Sequence, residues 1–322
     1  VRTRLCDLFG IEYPIIQAGM GPFTAADLVV AVSRAGGLGS LGGASRPTAD
    51  LREQVARIRA ATDRPFAVNF LVSDMNEESF AAALDARVPI LSLALGDPGE
   101  YVKRAHDAGA LVMHQVHTVA QAAQAAERGV DVIIAQGEEA GGFGQYVAAL
   151  PLIPQVVDAV RPLPVVAAGG IADGRGVAAA LVLGAVGVNV GTRFLASVEA
   201  PIGDGWKQAI IAARSEDVVK VDVANDILPG PGTRGYGAVP RAVRTPFSDW
   251  WAERRTEAAE RSAELRDEVF AALRSGRFHE YLPFAGQSAG LIHDVLPAGQ
   301  IVRLLVEQAE AALHEAASAA SR

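Results

Sequence analysis

The strongest chemical signal in the chain is the run VVAAGGIADGRG (165–176), which is followed by NVGTRFLA (189–196). Gly169 and Gly170 carry no Cβ, so the backbone there can close on a ligand. Asp173 is placed to open a helix whose free N–H groups carry partial positive charge. Gly191 and Thr192 add further N–H donors and a hydroxyl. Two such turns on neighbouring strands make a cradle for a phosphate group; without a ligand they are tight packing turns. Acid–base candidates are fewer. His117 follows a strand-like run, and Tyr146 lies in the Gly-rich loop GEEAGGFGQYV (137–147). Tyrosine can donate a proton but is a poor base near neutral pH, and the plainer reading of His117, a surface residue at a helix start, is preferred. Glu138 and Glu139 are adjacent and cannot oppose each other across a substrate as glycosidase carboxylates do, so they are expected to anchor the loop. Six histidines without an HExxH spacing and a single cysteine, Cys6, offer no metal site and no intrachain disulfide.

The elements that must position these residues follow from hydrophobic pattern. Short apolar runs alternate with longer Ala-rich stretches of helical period, the pattern of repeated βα units. Strands are predicted at 14–20, 37–43, 66–72, 90–96, 110–116, 131–137, 164–170 and 187–197. They are continuously apolar, as parallel strands buried on both faces must be. Several end in Gly, Gln, Asn or His, where barrel active sites are built. The fold class expected is α/β, a (β/α)8 TIM barrel with an inserted, partly helical segment after the last strand. An open doubly wound sheet competes, but QAGMGPFTA is a poor match to the GxGxxG turn it would carry. The rhythm breaks over 200–290, where the Gly/Pro-rich 226–246 precedes a charged helix expected near 248–274. The division read is a barrel over 1–199 plus 291–322 and an insertion or lid over 200–290, with GRFHEYLPFAGQSAGLI able to return a polar turn toward the barrel mouth. A terminal helix, about 297–320, is expected to pack outside the barrel or at a subunit contact.

Composition restricts the partners. A net charge of −8 argues against general nucleic-acid affinity. No run of apolar residues is long enough to span a membrane. The opening VRTRLCDLFGIEYP lacks the apolar stretch of a signal peptide, so a cytoplasmic protein is expected.

With these runs in hand, the chain resembles the nitronate monooxygenase family, formerly 2-nitropropane dioxygenases. The stretches that carry the resemblance are PIIQAGM, AGGLGSLGG, RPFAVNF, the EAGG loop, PVVAAGGIADGRG, GTRFLAS and AGQSAGLI, in order over almost the whole chain. The family implies an FMN-dependent barrel, with relatives among NADH:quinone reductases and a similarity to flavin-dependent enoyl-ACP reductases. It implies FMN phosphate held by Gly169, Gly170, Gly191 and Thr192, and flavin-ring contacts from Gly19, Met20, Asn69 and Gln115. Asn69 and Gln115 are neutral amides that can both donate and accept toward a flavin edge. The chain departs from the family at one place. The family has a His directly after the Gly pair of the sixth loop, and this chain has Phe143. Phe143 has no titratable group, so it is read as an aromatic platform, with His117 or Tyr146 as substitute acid–base groups, or with no such group needed. The function expected is FMN-dependent oxidation of a nitronate or similar anionic carbon acid with oxygen. The alternatives are an NAD(P)H-dependent quinone or enoyl reductase and a non-catalytic flavin-binding barrel; a sugar-phosphate barrel lacks a strand-end Lys or Glu. NAD(P)H is a candidate donor, and a homodimer a candidate assembly.

Overall fold

The computed structural model describes residues 1–229 and 237–321. Of the Gly/Pro-rich stretch at 226–246, residues 230–236 lie outside the described residues. The strands in chain order are β1 (Ile15–Gln17), β2 (Gly39–Gly42), β3 (Phe66–Leu71), β4 (Ile90–Ala94), β5 (Leu111–Val116), β6 (Val132–Gln136), β7 (Gly142–Gly144), β8 (Val165–Ala168), β9 (Gly187–Val190), β10 (Val218–Lys220) and β11 (Val239–Val243). Eight of them form one parallel sheet in the order β1-β9-β8-β6-β5-β4-β3-β2. A parallel bridge between Ile16 and Leu38 joins its two ends, so the sheet closes as the expected (β/α)8 barrel.

At the mouth end of the closing seam the side-chain amide of Gln17 continues the pairing. It donates to Ser40 O (3.1 Å) and accepts from Ser40 N (3.0 Å). Inside the barrel, alternate strand residues point inward, and Ile16, Leu38, Ala67, Ile90, Met113 and Ile134 fill its lower part. A short helix, Arg4–Phe9, plugs the floor with Leu5, Cys6 and Phe9. The sequence reading did not include it, since six residues give little periodicity to detect.

Three expected elements differ. The strand read at 187–197 stops at Val190. The N–H groups of Phe194 and Leu195 both return to Gly191 O, which turns the chain into the short helix Thr192–Leu195. The run 14–20 keeps strand geometry only to Gln17, because Gly21–Phe23 forms a 3-10 turn. The charged helix at 248–274 is three helices, Pro246–Ala252, Arg255–Glu260 and Ser262–Arg274, with breaks at Arg254 (φ −128°) and Arg261 (φ −98°). Neither break has a Gly or Pro; Arg255 is instead held by both oxygens of Asp226 (2.7 and 2.9 Å), a contact no local pattern announces.

Residues after β9 leave the barrel and return beside their point of exit, where Ser197 bridges Leu296 and Val198 N donates to Leu296 O. The intervening segment has its own apolar core, including Trp206, Ile210, Val223, Ile227, Leu265 and Val269. The terminal helix, Ala298–Ala320, then packs between the helices Gly174–Val182 and Ala26–Arg34, in the place of the barrel's eighth helix. A second small sheet, β10-β11-β7, is antiparallel and ties the loop after β6 to the insertion. No described helix is long and apolar enough to cross a membrane.

Candidate functional site

A cavity of about 290 Å³ opens over the carboxyl ends of the parallel strands, and each of the eight contributes residues at or just beyond its end. The inward-facing positions change character toward this end. Below lie apolar side chains; at the mouth stand the neutral amides Asn69, Gln115, Gln136 and Asn189, all of which line the cavity. Asn69 Nδ2 is fixed on Ser92, at 3.3 Å from its carbonyl and 3.2 Å from its hydroxyl, which leaves Oδ1 as the acceptor. Gly19 packs so closely on Asn69 that a Cβ there would overlap it. Beneath this contact Ser40 Oγ is buried without a hydrogen-bond partner. Met20 completes the wall beside Gly191.

The two glycine turns converge as expected. Gly169 (φ 93°) and Gly170 (φ 73°) are left-handed, and a Cβ on Gly169 would stand 3.0 Å from Gly137 O. Gly169, Gly170, Gly191 and Thr192 all line one corner of the cavity. Among the described residues no hydrogen bond occupies the backbone N–H of Gly170, Ile171, Gly191 or Thr192. Asp173 opens the helix behind them as read from sequence, but that helix's first N–H groups are not free. Asp173 accepts from Arg175 N (2.9 Å) and Gly176 N (3.3 Å), and Gln308 Oε1 accepts from Gly174 N (3.0 Å). Its first-turn donors are therefore already used, and anion-binding capacity rests on the turns themselves. Thr192 Oγ1 accepts from Gly286 N at 2.9 Å, so its own proton remains to be given.

Phe143 lines the cavity from β7, which the sequence reading had as plain loop. Its backbone pairs with Pro240 of β11, and its carbonyl accepts from Gln136 Nε2 (3.0 Å). Gln136 Nε2 also lies 3.3 Å from His117 Nε2. Lys220 Nζ bridges Gly144 O (3.0 Å) and Val239 O (3.1 Å), and Arg241 Nε donates to Glu138 O (2.9 Å). The loop is thus clamped from both sides.

The acid–base candidates sit elsewhere. His117 is 4% exposed, a buried residue rather than the surface one preferred from sequence, and it does not line the cavity. Burial, and secondarily the charge of Lys220, hold its pKa down to about 4, so it is neutral at ordinary pH. Tyr146 is 63% exposed and faces away from the cavity lining, its ring 5.4 Å from Lys220 Nζ. Burial brings Lys220 itself down to about 8, but it too stands behind the wall. Glu139 anchors the loop as expected, both oxygens accepting from Ala149 N (3.1 and 3.0 Å) at the start of the helix Ala149–Ala159. No titratable side chain lines the cavity among the described residues.

Opposite the amides the wall is apolar. Phe143 packs with Leu71, Ala94 and Leu95, and its ring lies 6.1 Å from that of Phe284. Leu95 (φ 55°) and Ser45 (φ 57°) hold left-handed backbone without being glycine, and both line the cavity. Such conformations cost about 1–3 kcal/mol each and cluster at binding sites. The polar turn after Phe284 does reach the mouth, where Ala285 and Ser288 line the cavity. Sequence reasoning missed Gln136, Asn189 and the insertion's aromatic residues. The period of two would have found the amides: Gln136 ends its strand as Gln115 nearly does, and Asn189 stands two residues before Gly191.

Comparison with known proteins agrees with this architecture. The family model described as nitronate monooxygenase matches residues 2–84 and 76–308. A Mycobacterium tuberculosis protein named (3aS,4S,5R,7aS)-5-hydroxy-7a-methyl-1-oxo-octahydro-1H-indene-4-carboxyl-CoA dehydrogenase is 36% identical over 75% of this chain and 72% of its own length. The structure of FabK from Thermotoga maritima superimposes with a TM-score of 0.90 at 34% identity, covering 99% of both chains. A nitroalkane oxidase from Streptomyces ansochromogenes superimposes with a TM-score of 0.82 at 26% identity, over 96% of this chain and 98% of that one.

Proposed function

The chain belongs to the nitronate monooxygenase family, and on that premise we propose that it is an FMN-dependent oxidoreductase acting on a neutral, largely apolar molecule. The cofactor fits the residues present. A flavin nucleotide needs donors for an anionic tail and a flat bed edged by groups that both give and accept hydrogen bonds. The turn N–H groups of Gly170, Ile171, Gly191 and Thr192 suit the phosphate, and a Cβ at Gly169 would crowd that corner against Gly137 O. Gly19 and Met20 provide the backbone bed; Asn69, Gln115 and Gln136 provide the neutral amides. Bound there, FMN would supply two-electron hydride exchange.

The protein's own part is to orient and to exclude water. Gln136 and β11 fix Phe143, whose ring closes one side of the cavity as a platform for a flat or alicyclic group. The described parts of the insertion that line the cavity, among them Leu228, Leu273 and Phe284, would act as its lid. No titratable side chain stands in the described lining, and on this reading the proton that accompanies hydride is drawn from water. An anionic nitronate would meet no compensating charge among those residues, and burying an uncompensated charge is costly. This uncharged lining is the observation that carries the reading. The dehydrogenase named above, whose name specifies a bicyclic carboxyl-CoA, supports an alicyclic group on this platform only; its anionic CoA part would have to lie outside the cavity.

Nitronate oxidation by oxygen is the second reading, supported by the family match and the nitroalkane oxidase likeness. The test is FMN titration of the purified protein, then anaerobic addition of NADH, NADPH or ethyl nitronate. FMN uptake followed by bleaching with a reduced nicotinamide is the expected result. Bleaching by the nitronate alone favours the second reading. A colourless protein that takes up no FMN overturns both.

A further inference from the structure

The inner half of the cavity accounts for a cofactor, but the outer half is built by the insertion and has no assigned use. The helix Ser262–Arg274 carries two apolar stripes. Leu265, Val269 and Ala272 are buried in the insertion's own core. Phe270 and Leu273, three residues apart and so on one helix face, line the cavity instead. Phe270 is 38% exposed, an aromatic ring left on the rim. From there the wall continues inward through Phe278 and Phe284, whose centroids lie 5.6 Å apart, to Phe143, 6.1 Å from Phe284. Leu228 faces the same space.

We infer that this aromatic track is a subsite for the hydrocarbon part of the substrate remote from the reacting carbon, and that Phe270 and Leu273 determine the length it accepts. The assignment rests on the reading that redox chemistry occurs beside Phe143. The physical argument is burial. An aliphatic or alicyclic substituent laid along this wall loses contact with water and covers the partly exposed Phe284, Leu273 and Phe270, Phe278 being already buried, which favours binding in proportion to the area removed. The polar, hydrated end of such a molecule would leave past Phe270.

The probes are 1,4-benzoquinones carrying straight alkyl tails of one to ten carbons, binding the oxidised holoenzyme and followed by calorimetry without turnover. Cys6 is buried, so thiol addition to the quinone does not intrude. Binding should tighten by about fourfold per added methylene while the tail lies along the track, then level off once it passes Phe270. Phe270→Ala and Leu273→Ala, both helix-favouring changes, should shallow that dependence and leave the methyl quinone unaffected. Phe270→Trp should move the plateau to shorter tails. Affinity independent of tail length in the wild type, or an unchanged dependence in the Phe270→Ala/Leu273→Ala double variant, overturns the assignment. Flavin content is measured on the same samples. A protein with the tail dependence but no FMN keeps the subsite and loses the redox reading; one with FMN but no dependence does the reverse.

Discussion

Lowering the pH from neutral toward 4 should destabilise this protein through two imidazoles. His114, on β5, is 3% exposed and its Nδ1 has no hydrogen-bond partner; burial brings its pKa down to about 4 despite the attraction of Asp97. His117 is held to about 4 by burial and then by Lys220. In the unfolded chain both titrate near the ordinary value of about 6.5. The unfolded state therefore takes up protons that the fold refuses. The stability this represents is complete above about pH 6.5 and is lost as the pH falls toward 4. At about pH 5 an unfolded imidazole is almost fully protonated and the folded one is not, a difference of about 2 kcal/mol for each histidine. Against a total stability of about 5–15 kcal/mol, that shift is large. The assay is urea unfolding at pH 7, 6 and 5, above the range in which most carboxylates titrate. His114→Phe should lose roughly half of the wild-type decline, because one of the two protons is no longer bound on unfolding. An equal decline in wild type and variant would refute the reasoning. So would an NMR titration of folded His117 near its ordinary value, and that result would also return His117 to the acid–base candidates.

Three further outcomes are expected. Gly191→Val should fill the phosphate corner, since a Cβ there has open space beyond Met20 Sδ at 3.4 Å; FMN content after purification should fall at least tenfold while the apoprotein's melting temperature holds. Glu139→Ala removes both acceptors at Ala149 N and should cost about 1 kcal/mol, as loss of a helix cap does, seen by calorimetry as a melting temperature about 2 °C lower. Phe143→His should raise nitronate turnover at unchanged FMN content, because the ring would bring a titratable group to the cavity wall; equal turnover in both proteins would make the substitution unimportant.

What could be read without coordinates was whatever depends on local pattern. Continuous apolar runs separated by Ala-rich helical stretches specify parallel strands buried on both faces, and eight of them specify a closed barrel. The pair Gly169–Gly170 marks one strand end because its left-handed backbone favours glycine, and Gly191 with its neighbour Thr192 marks the next. Gly19, Asn69 and Gln115 were singled out through the family resemblance, and their places as bare or polar positions ending apolar runs agree with it. Contacts between distant segments were not legible, and they decide the site's character. β7 exists only because β11, nearly a hundred residues on, offers it a partner. His117 is buried because that pairing and Gln136 cover it, and Tyr146 turns outward over Lys220. The Asp173 helix spends its free N–H groups on Asp173 itself and on Gln308, from the terminal helix. A residue's type limits the chemistry it can do. Whether it faces ligand, solvent or another segment is set by packing energies summed over the whole chain, which no local stretch contains.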